Sequence, residues 1–172
     1  ADAHNLPFCT SSFKNIVLFD VLHHLECPLK FLDEASRVLS PGGRIVMIEP
    51  GITIVSWFLY KIGHDELVDL SWKPKADCIL NPNKDPYDSN QAIPTLLFGR
   101  YSSIIIKNNF SITTKKWMSL FAYPLSGGFQ RWSLLPISFV RILLKIENFL
   151  MPFLGPLMAF RLLVVLKNIK NK

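Results

Sequence analysis

The stretch at residues 15–50 constrains the fold most, because its pattern predicts a strand, a helix and a second strand in direct succession. Residues 16–19 are a short apolar run of the kind found in strands that are buried on both faces. Residues 28–39 carry apolar side chains at helical spacing, and the Ser-Pro-Gly-Gly sequence at residues 40–43 then predicts a stop and a turn. Residues 44–49 predict the second strand, with an apolar run at residues 45–48 at its centre. Strands joined in this way pair in parallel with a right-handed crossover, so we expect a βαβ unit.

Polar side chains stand where the two predicted strands end. Asp20 follows the first strand and Glu49 closes the second, while His23 and His24 come shortly after Asp20. Ligands of open parallel sheets bind beyond the carboxyl ends of the strands, so these residues predict a site. An imidazole suits a general base, but adjacent histidines in a helix point about 100° apart and only one can face a cleft. The alternatives are a capping role for Asp20 and structural packing for the histidines.

Three motifs in this region carry a resemblance to a known family. Residues 2–8 read DAHNLPF, residues 19–25 read FDVLHHL, and residues 37–44 read RVLSPGGR. In this order and at this spacing they resemble the second half of the core of class I S-adenosylmethionine-dependent methyltransferases, in the group that includes the quinone C-methyltransferases. The resemblance implies an α/β, Rossmann-like fold with a mostly parallel sheet and an antiparallel C-terminal edge pair. It also implies that the final strand inserts between two earlier ones.

The same resemblance implies S-adenosylmethionine as the cofactor and names the residues that would hold it. In the family, a carboxylate at the position of Asp2 accepts from the adenine amine, and the backbone N–H of Ala3 reaches a ring nitrogen. The position of Phe19 contributes backbone contacts to the amino acid portion, and Asp20 would hold the ammonium group or orient the acceptor. We assign His24 to the same set. An aspartate at an ordinary turn is the alternative for Asp2.

We expect an insertion at residues 51–94 to cover the substrate, because it is long, lacks periodicity in its second half and mixes aromatic with amide side chains. The acceptor would be a small or lipid-linked molecule. The side chains that we expect to act in catalysis are His23, Glu49 and His64. Those that we expect to bind the substrate are Asn90 and Gln91. For each insertion residue taken alone, a solvated loop position is the alternative.

The sequence carries no glycine-rich cofactor loop of the GxGxG type. We therefore expect residues 1–172 to be a single partial methyltransferase domain, truncated at the N-terminus and inactive without the missing N-terminal half of the same protein. Its parts would be the core βαβ unit at residues 1–50, the insertion at residues 51–94, and helices with two last strands at residues 95–172.

The patterns in the C-terminal part predict four elements. Residues 95–108 predict a helix, and residues 111–121 alternate weakly in the manner of a strand. Residues 135–150 predict a second helix that ends before Pro152, and residues 160–167 predict the last strand.

The net charge of +6 is divided unevenly along the chain. Residues 1–99 carry 8 basic and 12 acidic side chains, whereas residues 100–172 carry 11 basic side chains and one acidic one, Glu147. Such asymmetry indicates either an anionic partner or a solvated basic face. We expect no nucleic-acid partner, because no known nucleic-acid-binding module is visible.

The three cysteines are odd in number and lack CxxC spacing, which argues against a disulfide framework and against a zinc site. We accordingly predict a cytoplasmic protein with no metal ligands. The apolar residues 149–166 include two prolines and Arg161, so a buried strand after an apolar turn explains them better than a membrane span. Peripheral membrane contact through residues 132–150 stays open. A non-catalytic methyltransferase-like module and a membrane-surface protein are the competing functions.

Overall fold

The fold is known from a computed structural model that describes residues 2–63, 66–127 and 131–170. Four strands form one mixed sheet in the order β1-β2-β4-β3. The strands are β1 (Phe13–Phe19), β2 (Leu39–Pro50), β3 (Phe110–Met118) and β4 (Arg161–Asn168). Six α-helices accompany them in the described residues: α1 (Pro28–Val38), α2 (Ile54–Gly63), α3 (Ile93–Leu97), α4 (Ser103–Lys107), α5 (Ala122–Leu125) and α6 (Ile137–Met158).

The predicted βαβ unit is confirmed. Strands β1 and β2 are parallel, with Ile16 opposite Ile45, and helix α1 connects them. Pro28 stands in the first turn of α1, where its fixed φ suits a helix and its missing N–H costs nothing. Phe31 and Leu32 on the apolar side of α1 are buried in the main core, so the amphipathic pattern of the sequence defines the packing.

The predicted stop and turn at residues 40–43 is a bulge within β2. The helix ends at Val38 and β2 begins at the next residue. Leu39 pairs with Phe13 and Arg44 with Asn15, so the intervening residues loop out of the ladder. Gly42 has φ +77°, a conformation that favours glycine, which is why the bulge falls there.

Strand β1 is buried on one face only, although its apolar run is typical of strands buried on both faces. Leu18 is buried in the core, but Val17 is 75% and Phe19 is 54% exposed. The reason is the sheet order, because β1 lies at an edge and the described residues cover only one of its faces. The apolar run therefore predicts the strand correctly but predicts more burial than the strand has.

Strand β4 lies between β2 and β3 and is antiparallel to both, as the resemblance implied. Its alternate side chains Leu162, Val164 and Leu166 are fully buried in the same core as α1. The carboxyl end of β2 therefore lies beside the beginning of β4, with Pro50 paired to Arg161. This pairing brings a cation to the edge where the parallel strands end.

Two helix predictions need correction. The single helix expected at residues 95–108 is the pair α3 and α4, separated by a turn at residues 98–102. Helix α6 does not end before Pro152 but continues through Pro152 and Pro156 to Met158. Both prolines lie on exposed turns, so water can satisfy the carbonyls that lose their helical partners.

The insertion at residues 51–94 contains α2 and then folds back along the core. An isolated bridge joins Leu67 to Asn90, and a disulfide joins Cys78 to Cys27 just before α1. The argument from cysteine count and spacing against a disulfide is thus wrong, since pairing depends on proximity in space. Cys9 is left exposed as a free thiol. No helix of the described segments is both long and apolar enough to cross a membrane.

Candidate active site

Glu49 organises the carboxyl end of β2. It is fully buried, and a buried carboxylate needs several donors. Its Oε1 accepts from the backbone N–H groups of Val21 (3.1 Å) and Leu22 (2.9 Å), and its Oε2 lies 2.8 Å from Nδ1 of His23. A single side chain therefore fixes the 3-10 turn Leu22–His24 after β1 and holds one histidine in place.

His23 connects Glu49 to the insertion. Its side chain is 3% exposed, and its Nε2 lies 3.5 Å from Oε2 of Glu66. Because a carboxylate accepts at Nδ1, the proton of the neutral ring belongs on Nδ1, and Nε2 is the atom that remains to exchange one. Glu66 is held in turn by Ser89 Oγ (2.8 Å) and Gln91 Nε2 (3.1 Å). We call Glu49, His23 and Glu66 the carboxylate–histidine cluster.

A cavity of about 180 Å³ opens beside this cluster. His23 and His24 form part of its wall, and Trp72 and Asn90 of the insertion form another part. The two imidazole rings are 4.2 Å apart between centroids. Burial lowers the pKa of His24, so this ring is neutral at pH 7. The cavity thus presents one neutral imidazole beside one that is paired with carboxylates.

Asp20 makes an ion pair that the sequence patterns did not indicate. Its Oδ1 lies 2.5 Å from Nη2 of Arg161, and the guanidinium also lies over the rings of Phe19 (5.3 Å) and Tyr123 (5.7 Å). Burial raises the pKa of the Asp20 carboxyl, and the nearby Arg161 charge opposes that rise. Asp20 has φ 54°, a left-handed conformation that is uncommon outside glycine and often marks functional sites.

The capping role considered for Asp20 is wrong, because the turn that follows has no side-chain cap and Glu49 receives its N–H groups instead. Arg161 is a residue of this candidate site that sequence reasoning did not identify. Its signal was an arginine inside an apolar strand, since a buried cation requires a buried partner. Sequence reasoning did not single out Glu66, because its proximity to His23 depends on how the insertion folds back.

The loop at residues 2–8 is anchored to α1 by two charged side chains. Arg37 donates from Nη2 to the carbonyl of Leu6 (3.1 Å) and from Nη1 to that of Phe8 (2.9 Å), and Glu34 accepts from the N–H of Leu6 (2.8 Å). Two of the three sequence motifs are therefore physically linked. At the start of the loop, Asp2 is 56% exposed and accepts from the backbone N–H of His4, which lowers its pKa.

The predicted substrate residues lie against the same turn. The backbone N–H of Asn90 donates to the carbonyl of His23 (2.9 Å), but its side chain is used inside the insertion, with Oδ1 accepting from Asp69 (2.9 Å) and Ala92 (3.0 Å). Gln91 is buried and orients Glu66. Their role in substrate binding stays a prediction. His64 lies outside the described residues.

Two groups of potential metal ligands occur here, one formed by His23, His24 and Glu66 and the other by Asp20, His23 and Glu49. Within each group the ligand atoms lie within 4.8 Å of one another. The two ring nitrogens of His23 already face Glu49 and Glu66, and Asp20 faces Arg161. We therefore assign these side chains to hydrogen bonds and ion pairs, which account for their positions.

Comparison with known proteins identifies the fold and a family match over the first part of the chain. Residues 1–47 match the family described as "Methyltransferase domain". Solved structures of similar fold include a putative methyltransferase from Bacillus halodurans (TM-score 0.52, 13% identity, 99% of this chain and 70% of that one). A second is a putative S-adenosylmethionine-dependent methyltransferase from Listeria monocytogenes (TM-score 0.51, 10% identity, 99% and 68%). The chain therefore has the Rossmann-like class I methyltransferase fold, and the family match extends over residues 1–47.

A curated relative gives a closer match over a short stretch. The demethylmenaquinone methyltransferase of Clavibacter sepedonicus is 49% identical over 49 residues. This match covers 28% of the present chain and spans only 20% of the relative's length.

Proposed function

We propose that the protein containing this chain transfers a methyl group from S-adenosylmethionine to a small or lipid-linked acceptor, with His23 as the base that removes the acceptor proton. The observation that carries the proposal is the hydrogen bond of 2.8 Å between the fully buried Glu49 and Nδ1 of His23. A carboxylate that fixes the tautomer of a histidine beside a cavity is a recurrent arrangement for a general base.

The residues present fit the cofactor in charge and position. Asp2 is exposed and its lowered pKa keeps it ionised, so it can accept from the exocyclic amine of adenine, with the N–H of Ala3 beside it. The backbone of Phe19 and Asp20 stands at the carboxyl end of β1, where the amino acid portion would bind. A neutral His24 would not repel a sulfonium cation. S-adenosylmethionine, when bound, supplies a methyl group already activated by that sulfonium.

The chain's own residues then have three tasks. Nε2 of His23 takes the proton from the acceptor hydroxyl or acidic C–H, and the negative charge of Glu49 stabilises the resulting imidazolium. Glu66, held by Ser89 and Gln91, is placed to receive or share that proton from the insertion side. The insertion excludes water around the reacting groups and positions the acceptor for in-line attack.

A quinone-like lipid is the first acceptor to test, because the curated relative that matches residues of this chain is named for demethylmenaquinone. The mixture of apolar and amide side chains in the insertion supports an acceptor with an apolar body and a polar reacting end. The predicted absence of a nucleic-acid partner stays a prediction.

The decisive experiment compares His23→Asn with His24→Asn in the whole protein that contains this sequence. Transfer of radiolabelled methyl from S-adenosylmethionine to demethylmenaquinone is measured together with cofactor affinity by calorimetry. Loss of a general base lowers turnover by about 10²- to 10⁴-fold. We expect that loss for His23→Asn with nearly unchanged cofactor affinity, and a weaker effect for His24→Asn. Full turnover in His23→Asn, with activity intact in the wild type, overturns the assignment.

A further inference from the structure

Helix α6 presents a continuous apolar stripe to solvent. Six large apolar side chains recur at spacings of three or four residues, which places them on one face of a helix. Their exposed fractions lie between 49% and 76%. The members are Phe139, Ile142, Ile146, Phe149, Phe153 and Leu157. We call them the α6 stripe.

The opposite face of α6 is fixed to the protein by the helix's polar and smallest residues. Glu147 is buried, and its carboxylate accepts from the backbone N–H groups of Leu120 and Ala122. Gly155 is buried against Trp117, where a Cβ would come within 3.0 Å of the indole side chain. The helix is therefore held with a carboxylate inside and aromatic rings outside, the reverse of an ordinary surface helix.

Helix α2, a neighbour of α6, carries a second row of exposed apolar side chains. It contacts α6, and Ile54, Phe58 and Ile62 recur on it at intervals of four residues. All three are exposed by more than half of their surface. Exposed apolar side chains that recur along a helix face are typical of a binding surface, whereas ordinary exposed apolar residues are scattered singly.

The charges around the α6 stripe indicate which kind of partner it binds. Arg141 and Lys145 are exposed and lie one helical turn apart along its edge. Within residues 100–172 the one acidic side chain is Glu147, which is buried, so no exposed carboxylate of that part of the sequence opposes an anionic surface. Basic side chains beside exposed aromatic and aliphatic ones are the pattern of helices that lie in the interface of anionic membranes.

We propose that the α6 stripe, flanked by Arg141 and Lys145, docks this protein on the surface of an anionic lipid bilayer. The apolar side chains would enter the boundary between headgroups and acyl chains, and the two basic heads would remain among the phosphates. A second copy of the chain is the less suitable occupant, because it would bring a like-charged surface against this one. The proposal is independent of the methyl transfer proposed above.

Flotation with lipid vesicles tests this proposal on the whole protein. We expect the wild type to float with vesicles that contain phosphatidylglycerol and much less with vesicles of phosphatidylcholine alone. Loss of two membrane-inserting rings in Phe149→Glu/Phe153→Glu should reduce the bound fraction by at least about tenfold. Arg141→Glu/Lys145→Glu should abolish the preference for anionic lipid. The matched control is Ile79→Glu/Tyr87→Glu, which changes two highly exposed apolar residues of the insertion and should leave flotation unchanged.

Circular dichroism of each variant separates a docking defect from misfolding. The proposal is overturned if the wild type floats with neither vesicle, or if the insertion control loses binding as much as the stripe variants do. It is also overturned if the wild type is a dimer that Phe149→Glu/Phe153→Glu converts to monomers while vesicle binding is absent. In that case the stripe is an interface between copies of the chain.

Discussion

The carboxylate–histidine cluster and the α6 stripe invert the usual distribution of side chains in opposite senses. In the cluster, Glu49 and His23 are charged or polar and almost completely buried. In the stripe, Phe149 and Phe153 are aromatic and about three-quarters exposed. Residues placed against their solvation preference are informative, because folding stability alone does not favour them.

The two regions differ in whether their side chains have suitable partners within the chain. Each ionisable group of the cluster has at least one partner within the chain. The apolar side chains of the stripe have no such internal compensation. Mutations should consequently separate the regions, because damage to the cluster affects folding and chemistry whereas damage to the stripe affects association.

The largest effect is expected for Glu49→Ala. It removes the acceptor of two backbone N–H groups and the partner of His23, all in a buried site. Removing one member of such a network costs about 3–5 kcal/mol of unfolding free energy. Urea denaturation followed by circular dichroism measures it. Glu49→Gln serves as the control, since it keeps an acceptor oxygen and should cost less. A loss below about 1 kcal/mol in Glu49→Ala would mean that the network does not support the fold.

A smaller loss is expected for Glu147→Ala, which releases the buried side of α6. The backbone N–H groups of Leu120 and Ala122 would lose their acceptor. Leaving buried donors unpaired costs about 1–3 kcal/mol. Chemical denaturation of this variant beside Asn148→Ala, an exposed neighbour on the same helix, gives the contrast. Equal stability of the two variants would show that α6 is not anchored through Glu147.

The pH dependence of stability should report His24. Burial places its folded-state pKa below the ordinary value of 6.5, so the unfolded chain binds a proton more readily than the folded one. Stability should therefore fall as pH decreases through and below 6.5, and the variant His24→Gln should remove part of that slope. Thermal melts at a series of pH values test the prediction. An identical slope in wild type and His24→Gln would contradict the assigned shift.

The smallest effect on stability is expected for Phe149→Ser/Phe153→Ser, although this variant changes the two most exposed rings of the stripe. Exposed substitutions away from caps and networks usually alter stability by less than about 0.5 kcal/mol. The melting temperature should be unchanged, even where vesicle binding is lost. A clear destabilisation would show that the rings pack within the protein and that the comparison between the two regions fails.

The sequence was sufficient for elements whose signals are local. The apolar runs and helical spacing of residues 15–50 predicted the parallel pair and its connecting helix. The resemblance supplied the antiparallel insertion of β4, which no local pattern indicates. The prediction at Pro152 was wrong because this proline lies on an exposed turn, where water can replace the hydrogen bond that a proline removes from a helix.

The candidate site was predicted less completely, for a physical reason. His23 and Glu49 were identified individually from strand ends, but their hydrogen bond depends on the parallel register. Arg161 lies beside Asp20, and Cys78 beside Cys27, only once the chain has folded. The Cys27–Cys78 pair also removes the main support for the cytoplasmic prediction, which rested on unpaired cysteines.

The position of β4 has a consequence for how the sheet assembles. Arg44 of β2 pairs with Lys167 of β4, and among the described strands β3 joins the sheet only through β4. Until the last described strand is available, β2 and β3 have no common neighbour, and two of the three strand pairings are absent. Contacts between such distant parts of a chain form slowly. The intervening chain loses conformational entropy when its ends meet, before the strand pairing can offset that loss. On a ribosome, the Asp20–Arg161 pair forms only after residue 161 has emerged.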